Sequence, residues 1–215
     1  MREALIVWGG WAGHEPEQGA HIVSEMLREA GFTTYLENTT EAFADPAIAE
    51  LSLIVPIFTM SKIEKEELDN LTRAVEGGVG LAGFHGGMAD AFREAVEYHF
   101  MVGGQWVAHP GNIIDYTVEI TRAEDPVMQG LPKHFPYRSE QYYMHVDPSN
   151  EVLATTRFSG QHAAWIDGVV MPVVWKRRHG LGRVFYSSLG HVAQEFAVPE
   201  MREILRRGML WAARD

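Results

Sequence analysis

The stretch GLAGFHGG, residues 80–87, sets a short apolar run directly against one histidine and two glycines. The apolar half is typical of a buried parallel strand, and the abrupt polar residue before glycine is typical of the strand-to-helix turn called a nucleophile elbow. His85 occupies the tip, where a Ser or Cys nucleophile would stand. We therefore predict a general acid, a general base or a metal ligand at His85. The alternative is a tight turn that carries an incidental histidine.

Strand and helix patterns alternate on both sides of this turn. Apolar runs predict strands over residues 3–8, 33–36, 51–58 and 79–84. Helical spacing predicts helices over residues 16–30, 63–76 and 89–100, the second of them capped by Ser61. Such alternation predicts an α/β fold, in which a mostly parallel sheet is covered by helices on both faces.

The second half of the chain has a different pattern. Strands are predicted at 113–120 and 151–156, separated by an irregular segment rich in Pro, Tyr and His. A hairpin is predicted from 172–175 and 183–188, and a helix over 198–213 closes the chain. We thus expect one domain over residues 1–215, with an antiparallel insertion in its second half.

Composition excludes several classes of protein. Lys and Arg number 18 against 29 Asp and Glu, so neither a nucleic-acid surface nor docking on anionic lipid is expected. No run approaches the ~20 apolar residues of a membrane span, and the N-terminus lacks the pattern of a signal peptide, so we expect a cytoplasmic protein. The chain has no cysteine, which excludes disulfides, thiolate nucleophiles and Cys-rich zinc sites.

Three histidines follow predicted strands. His14 lies after the first strand, His85 after the fourth, and His191 after the strand that ends near Gly190. Ligands of open parallel sheets bind beyond the carboxyl ends of the strands, so we expect these imidazoles to share one site. The alternative for each one is a hydrogen-bonded surface or capping residue. Five others are expected to be structural or solvated: His21, His99, His134, His162 and His179.

Two aromatic segments add polar groups to this prediction. SEQYYMH, residues 139–145, places Glu140 among rings, and GGQWVAHPG, residues 103–111, is similar. Rings beside a carboxylate suit a sugar, whose apolar faces pack on rings and whose hydroxyls bond to carboxylates. A packed aromatic loop with Glu140 in a salt bridge is the alternative. The candidates for substrate binding are Trp11, His14, Trp106, His109, Tyr142 and His145, and the catalytic candidates are His85, His191 and Glu140.

Cofactor binding is left open by the sequence. Neutral imidazoles and a carboxylate suit a divalent ion such as Zn²⁺, for which His14, His85, His191 and Glu140 are the candidates. No HxxxH or HxH spacing is present, and a metal-free acid/base site fits equally well. The first loop, GGWAGHE, does not match GxGxxG, and no Walker GK[ST] appears, so nucleotide cofactors are not expected.

Several motifs together resemble the ThuA-like (trehalose utilisation) family. They are FHGG, GGQWVAHP, the D-P-V-M-x-G-L-P run at 125–132, SEQYY, GRVFYSSLGH at 182–191 and the ILRRGMLWAA helix. The resemblance implies a class I glutamine amidotransferase-like fold, a flavodoxin-like doubly wound sheet. In amidotransferases the elbow carries a catalytic Cys; here His85 stands there, and Ala193 replaces the Glu two residues after the late-strand His191. Glutamine hydrolysis through a thioester is therefore excluded.

The resemblance also implies a role in carbohydrate metabolism, because ThuA-like proteins are linked to disaccharide use beside oxidoreductases that make 3-keto sugars. We expect proton transfer next to the carbonyl of a keto-sugar or keto-glycoside, with His85 or His191 as base. A second histidine or a metal ion would stabilise the enediolate, and His14 and Glu140 would position hydroxyls or hold a metal. The alternatives are a non-catalytic sugar-binding or regulatory module, and hydrolysis at a metal site. Because symmetric dimers are the commonest assemblies of soluble proteins, we expect a homodimer.

Overall fold

The computed structural model describes residues 2–215, and its main feature is a sheet of nine strands. The strands of the chain are β1 Arg2–Gly10, β2 Phe32–Glu37, β3 Leu53–Thr59, β4 Gly80–Phe84, β5 Gly104–Ala108, β6 Ile113–Ile120, β7 His134–Glu140, β8 Tyr143–Val146, β9 Glu151–Arg157, β10 Val170–His179 and β11 Gly182–Ser187. The nine-stranded sheet has the order β2-β1-β3-β4-β11-β10-β9-β6-β7, while β5 and β8 form a separate antiparallel pair.

The first five strands in this order, β2 to β11, are mutually parallel. Their order is that of a flavodoxin-like sheet, in which the chain changes direction between the strands called β1 and β3 here. The predicted strands at 3–8, 33–36, 51–58 and 79–84 are confirmed to within two residues. A sheet of this kind places the residues that follow each parallel strand along one edge.

Helices cover both faces of the parallel part: α1 Pro16–Glu29, α2 Lys65–Glu76, α3 His85–Ala89, α4 Val96–Val102 and α5 Pro199–Ala212. Alternation along β1 shows the two layers. Ala4 and Ile6 pack in one core with residues of α1 and α5, and Leu5 and Val7 pack in another with residues of α2 and α4. Side chains of a strand alternate between faces, so a strand covered on both sides must be apolar throughout.

The predicted antiparallel insertion is confirmed, with more strands than expected. β10 and β11 form a hairpin in which His179 pairs with Gly182, and β9, β6 and β7 extend the sheet beyond it. The expectation of an irregular segment between 120 and 151 is wrong, since it contains β7 and β8. In β7 the buried side chains Phe135, Tyr137 and Ser139 alternate with exposed ones, and pairing with β6 along its whole length overrides the low strand propensity of Pro136.

Two helix predictions need correction. The helix expected at 89–100 is interrupted: α3 ends at Ala89 and α4 begins only at Val96. Between them the Asp90 carbonyl accepts a hydrogen bond from the Met60 N–H, at 2.8 Å, in a distant loop. The second helix begins at Lys65 and is not capped by Ser61. Its N-cap is Glu64, whose N–H donates to the Glu67 carboxylate at 2.8 Å, as in a capping box.

No helix in residues 2–215 combines the length and apolar content that crossing a bilayer requires.

Candidate active site

Three histidines and one carboxylate converge at the carboxyl edge of the parallel strands. His14 ends a single 3-10 turn after β1, His85 is the first residue of α3, and His191 follows β11 by four residues. Glu140 is the last residue of β7, the far edge strand of the sheet. One ligand atom from each of the four side chains lies within 4.8 Å of the others. The structure therefore brings together the three histidines expected at this edge and Glu140, the four residues predicted as candidate metal ligands.

Glu140 is the centre of this histidine–carboxylate cluster. Its Oε2 lies 3.1 Å from Nε2 of His85 and 3.3 Å from Nδ1 of His191, and those two imidazole nitrogens are 3.2 Å apart. Nε2 of His14 is 3.9 Å from the same oxygen. The second oxygen, Oε1, lies 3.6 Å from Nε2 of His109. All four imidazoles thus face one carboxylate, and the cluster is largely withdrawn from water, with His85 only 1% exposed.

The elbow at His85 has a strained backbone geometry. His85 has φ +47°, a left-handed conformation that is uncommon for a residue with a side chain. The two glycines after it are required by close packing: a Cβ on Gly86 would lie 2.6 Å from Cε1 of His14, and one on Gly87 would lie 2.9 Å from Cα of Ile57. The hydroxyl of Tyr186 donates to the His85 carbonyl at 3.1 Å and supports the turn.

Two polar groups orient the buried imidazoles. Nδ1 of His85 lies 2.8 Å from the carbonyl oxygen of Ser188, and Nδ1 of His14 lies 2.8 Å from Oγ1 of Thr59. Neither partner was predicted from the sequence. Thr59 could have been noticed as the polar end of an otherwise apolar strand, whereas Ser188 acts through its backbone carbonyl, for which no sequence signal exists.

A second carboxylate holds the loop that carries His191. Glu195 accepts hydrogen bonds from the backbone N–H groups of His191, at 2.9 Å, and Gly190, at 3.2 Å, and from the hydroxyl of Tyr137. Ala193, two residues after His191, has no carboxylate to offer this imidazole. Glu140 provides the carboxylate that faces the imidazole, and Glu195 anchors the backbone instead.

Aromatic rings surround the cluster. Tyr142 stacks on His85 with ring centroids 4.1 Å apart, and Trp11, 45% exposed, meets His14 edge-on at 4.7 Å. Trp106 lies 5.5 Å from His109. His145 is different: it is exposed on β8, and within residues 2–215 no hydrogen bond, ion pair or ring contact joins its side chain to the cluster.

The charges of the cluster are coupled. Burial alone would raise the pKa of Glu140, but its hydrogen bond from His191 and its contact with the His85 imidazole outweigh burial and hold this pKa far below its ordinary value. Burial would lower the pKa of His191, yet its hydrogen bond to Glu140 and the carboxylate charge raise it above 6.5. Burial, reinforced by the charges of His85 and His191, lowers the pKa of His14 to about 3. Near neutral pH the cluster therefore holds an ionised carboxylate and a neutral His14, while the carboxylate favours the protonated form of His191.

The five remaining histidines lie apart from this cluster. His21, His134 and His162 are exposed. His99 is half-buried in α4 and packs edge-on against Tyr98 at 5.8 Å, and Nε2 of His179 lies 3.5 Å from Glu76.

The strand order and the site at its edge define the class of protein: a flavodoxin-like α/β protein whose elbow carries a histidine in place of a nucleophile. Residues 3–212 match the ThuA family, described as "Trehalose utilisation", and the chain belongs to that family. No curated protein matches the sequence.

Solved structures of low sequence identity share the fold. A ThuA-like protein from Bacteroides uniformis has a TM-score of 0.81 at 21% identity, covering 98% of this chain and 91% of that one. A ThuA-like protein from Parabacteroides merdae has a TM-score of 0.82 at 17% identity, covering 98% and 89%. A β-galactosidase from Bacillus circulans sp. alkalophilus has a TM-score of 0.60 at 15% identity, and 96% of this chain covers only 31% of it. The fold thus occurs also as one part of a longer chain.

Proposed function

We propose that this ThuA-family protein processes a disaccharide-derived keto-sugar or keto-glycoside by moving a proton at the carbon next to the carbonyl. The family description, trehalose utilisation, supports the carbohydrate class. The observation that carries the chemistry is the contact of His191 Nδ1 with the Glu140 carboxylate, at 3.3 Å, beside His85.

A carboxylate that accepts a hydrogen bond from one N–H of an imidazole makes the other ring nitrogen a stronger base. With Nδ1–H of His191 donating to Glu140, Nε2 of His191 carries the lone pair. The same carboxylate then stabilises the imidazolium that forms when this nitrogen takes a proton. In the metal-free protein we assign proton transfer to His191, because its side chain is 13% exposed whereas that of His85 is 1% exposed.

Removal of a proton beside a carbonyl leaves negative charge on the carbonyl oxygen, and the site must compensate for it. The imidazolium of His191 supplies positive charge at the reacting carbon. His109, whose side chain is 29% exposed and whose Nε2 faces Glu140, lies on the open side of the cluster and is positioned to donate to a substrate oxygen. We assign Glu140 and His85 to holding the proton on Nδ1 of His191, since that nitrogen lies 3.3 Å from Oε2 of Glu140 and 3.2 Å from Nε2 of His85.

Aromatic surface at the rim supports a sugar ligand. Trp11 is 45% exposed beside His14, and Trp106 packs near His109 and Tyr142. An exposed indole offers a flat apolar surface to the C–H face of a sugar ring, while imidazoles and a carboxylate offer partners to its hydroxyls.

The test is hydrogen–deuterium exchange at carbon, followed by NMR in D₂O. A 3-keto-glycoside should exchange the proton next to its carbonyl in the presence of the protein, and the parent disaccharide, which has no carbonyl to acidify that position, should not. His191→Gln should slow the exchange by about 10²–10⁴-fold, the usual contribution of a positioned acid–base group.

The matched control is His21→Gln, which changes an exposed histidine on α1 and should leave the exchange rate unchanged. Absence of both exchange and binding with every keto-glycoside tried would refute the proposal. Tight calorimetric binding of a 3-keto-glycoside that undergoes no exchange would instead favour a non-catalytic sugar-binding module, for which the exposed Trp11 would be the principal contact.

A further inference from the structure

We propose that His14, His85, His191 and Glu140 bind one divalent transition-metal ion, with Zn²⁺ as the reference ion. The catalytic consequence of this inference rests on the proposed function, but the binding itself does not. Three features support metal binding: the lone pairs of the four side chains, the distances between them and the groups that hold them.

The lone pair of His85 points into the cluster. A backbone carbonyl only accepts hydrogen bonds, so the contact of His85 Nδ1 with the Ser188 carbonyl, at 2.8 Å, requires a hydrogen on Nδ1. In the neutral ring Nε2 is then a bare acceptor, and it lies 3.1 Å from the carboxylate oxygen of Glu140 and 3.2 Å from Nδ1 of His191. Two acceptors cannot bond to each other, so either the Nδ1 hydrogen of His191 bridges them or a metal ion lies between them.

The separations fit an ion. Donors arranged tetrahedrally around Zn²⁺, at bond lengths of about 2.0–2.2 Å, are about 3.3–3.6 Å apart. The three distances among His85, His191 and Glu140 are 3.1, 3.2 and 3.3 Å, and that from His14 to Glu140 is 3.9 Å. His14 is the outlying donor, since the four ligand atoms are up to 4.8 Å apart, and it must move by about 1 Å for all four to reach these spacings. The Nδ1 hydrogen of His191, in contrast, can reach Glu140 and His85 but leaves Nε2 of His14, 3.9 Å from the carboxylate oxygen, outside hydrogen-bond range.

The supporting contacts are those of a metal site. Ligating imidazoles usually donate a hydrogen bond from the N–H of their second nitrogen to a polar acceptor such as a carbonyl or carboxylate, which fixes the ring. His85 does so with Ser188, and Nδ1 of His14 is 2.8 Å from Oγ1 of Thr59. The second carboxylate oxygen of Glu140, Oε1, lies 3.6 Å from Nε2 of His109, and this contact orients the carboxylate from outside the four donors.

Three nitrogen donors and one oxygen donor also select the kind of ion. Mg²⁺ and Ca²⁺ take oxygen ligands almost exclusively, whereas imidazole suits Zn²⁺, Fe²⁺, Co²⁺ and Ni²⁺. The single carboxylate leaves a net charge of +1 with such an ion. When the ion is bound, His191 is a ligand and no longer a base, so the ion supplies the positive charge and His109 is the imidazole that remains for proton transfer.

The experiment measures metal binding by untagged protein after chelator treatment. Zn²⁺ titrated by calorimetry should bind at one ion per chain, and Co²⁺ should give a visible absorption spectrum typical of nitrogen and oxygen ligands. His85→Gln should weaken Zn²⁺ binding by more than the about 10–100-fold that loss of a supporting hydrogen bond costs, and Thr59→Val, which is nearly isosteric, should weaken it by about 10–100-fold. If His85→Gln does not fold, Thr59→Val still tests the site.

His21→Gln is the control and should retain full affinity. Failure of the wild-type protein to bind one ion, or equal binding by wild type, His85→Gln and Thr59→Val, would overturn the inference. The two proposals can fail separately: stoichiometric metal binding without deuterium exchange supports the site and refutes the keto-sugar chemistry. If chelator-treated protein exchanges the proton at full rate and also fails to bind Zn²⁺ on titration, the metal site is refuted and the metal-free mechanism is supported.

Discussion

Gly86→Ala isolates the packing of the elbow against the cluster. Gly86 lies in α3 without a positive φ, so alanine is compatible with its backbone, yet the added Cβ would lie 2.6 Å from Cε1 of His14 and 3.0 Å from the Tyr142 hydroxyl. Overpacking of this kind costs about 1–3 kcal/mol, while the loss of a glycine from a compatible position returns about 0.4–1 kcal/mol. We expect a net loss of about 0.5–2 kcal/mol, or a fall in Tm of about 1–8 °C.

The matched control is Gly19→Ala, in the interior of α1, where the nearest atom to the added Cβ is 3.6 Å away on Phe84. This variant should be as stable as the wild type or more stable by up to about 1 kcal/mol. Thermal denaturation followed by circular dichroism compares the two, and the imidazole NMR signals of His14 should shift in Gly86→Ala alone. A Gly86→Ala protein that melts at or above the wild-type temperature with unshifted signals would refute this account of the elbow.

Three further perturbations test the groups around the site. Glu140→Gln should lower the pKa of His191 in chelated protein, measured by NMR titration, because the carboxylate is what raises it. A pKa that is raised in the folded state stabilises the protein below the ordinary value of 6.5, and this stabilisation is lost as pH rises through the folded value. The difference in unfolding free energy between wild type and Glu140→Gln should therefore become smaller toward alkaline pH. A difference that grows with pH would contradict the ion pair. Glu195→Ala should cost about 1–3 kcal/mol in urea unfolding because the amide of His191 loses its acceptor, and unchanged stability would show that water replaces it. Lys176→Met should cost about 3–5 kcal/mol because it leaves the buried carboxylate of Asp125 without its cation; a loss below 1 kcal/mol would mean that Asp125 is satisfied by backbone alone.

The parallel part of the fold was predictable because its strands are apolar on both faces. Such runs need no partner to be recognised, and the alternation of strands with helices then determines which loops share an edge. The proximity of His14, His85 and His191 followed from this topology alone. Their exact contacts did not, because they depend on backbone groups such as the Ser188 carbonyl.

The antiparallel part could be predicted only in outline. Prolines, tyrosines and histidines in 134–146 hide two strands whose existence depends on partners far away in sequence, β6 for β7 and β5 for β8. The same gap affected the site. Tyr142 and His145 come from one aromatic segment and were predicted to act together, but the strand β8 begins between them, leaving Tyr142 buried on His85 and His145 exposed.

The origin of Glu140 gives the site an unusual dependence on distant structure. The three histidines come from the contiguous parallel strands, whereas the carboxylate they face is carried on the outermost antiparallel strand, four strands beyond β11. Partial opening of that outer region would withdraw the negative charge while the histidines stayed in place. Binding of a ligand to the cluster should therefore slow amide hydrogen exchange in β6 and β7, at the far edge of the sheet.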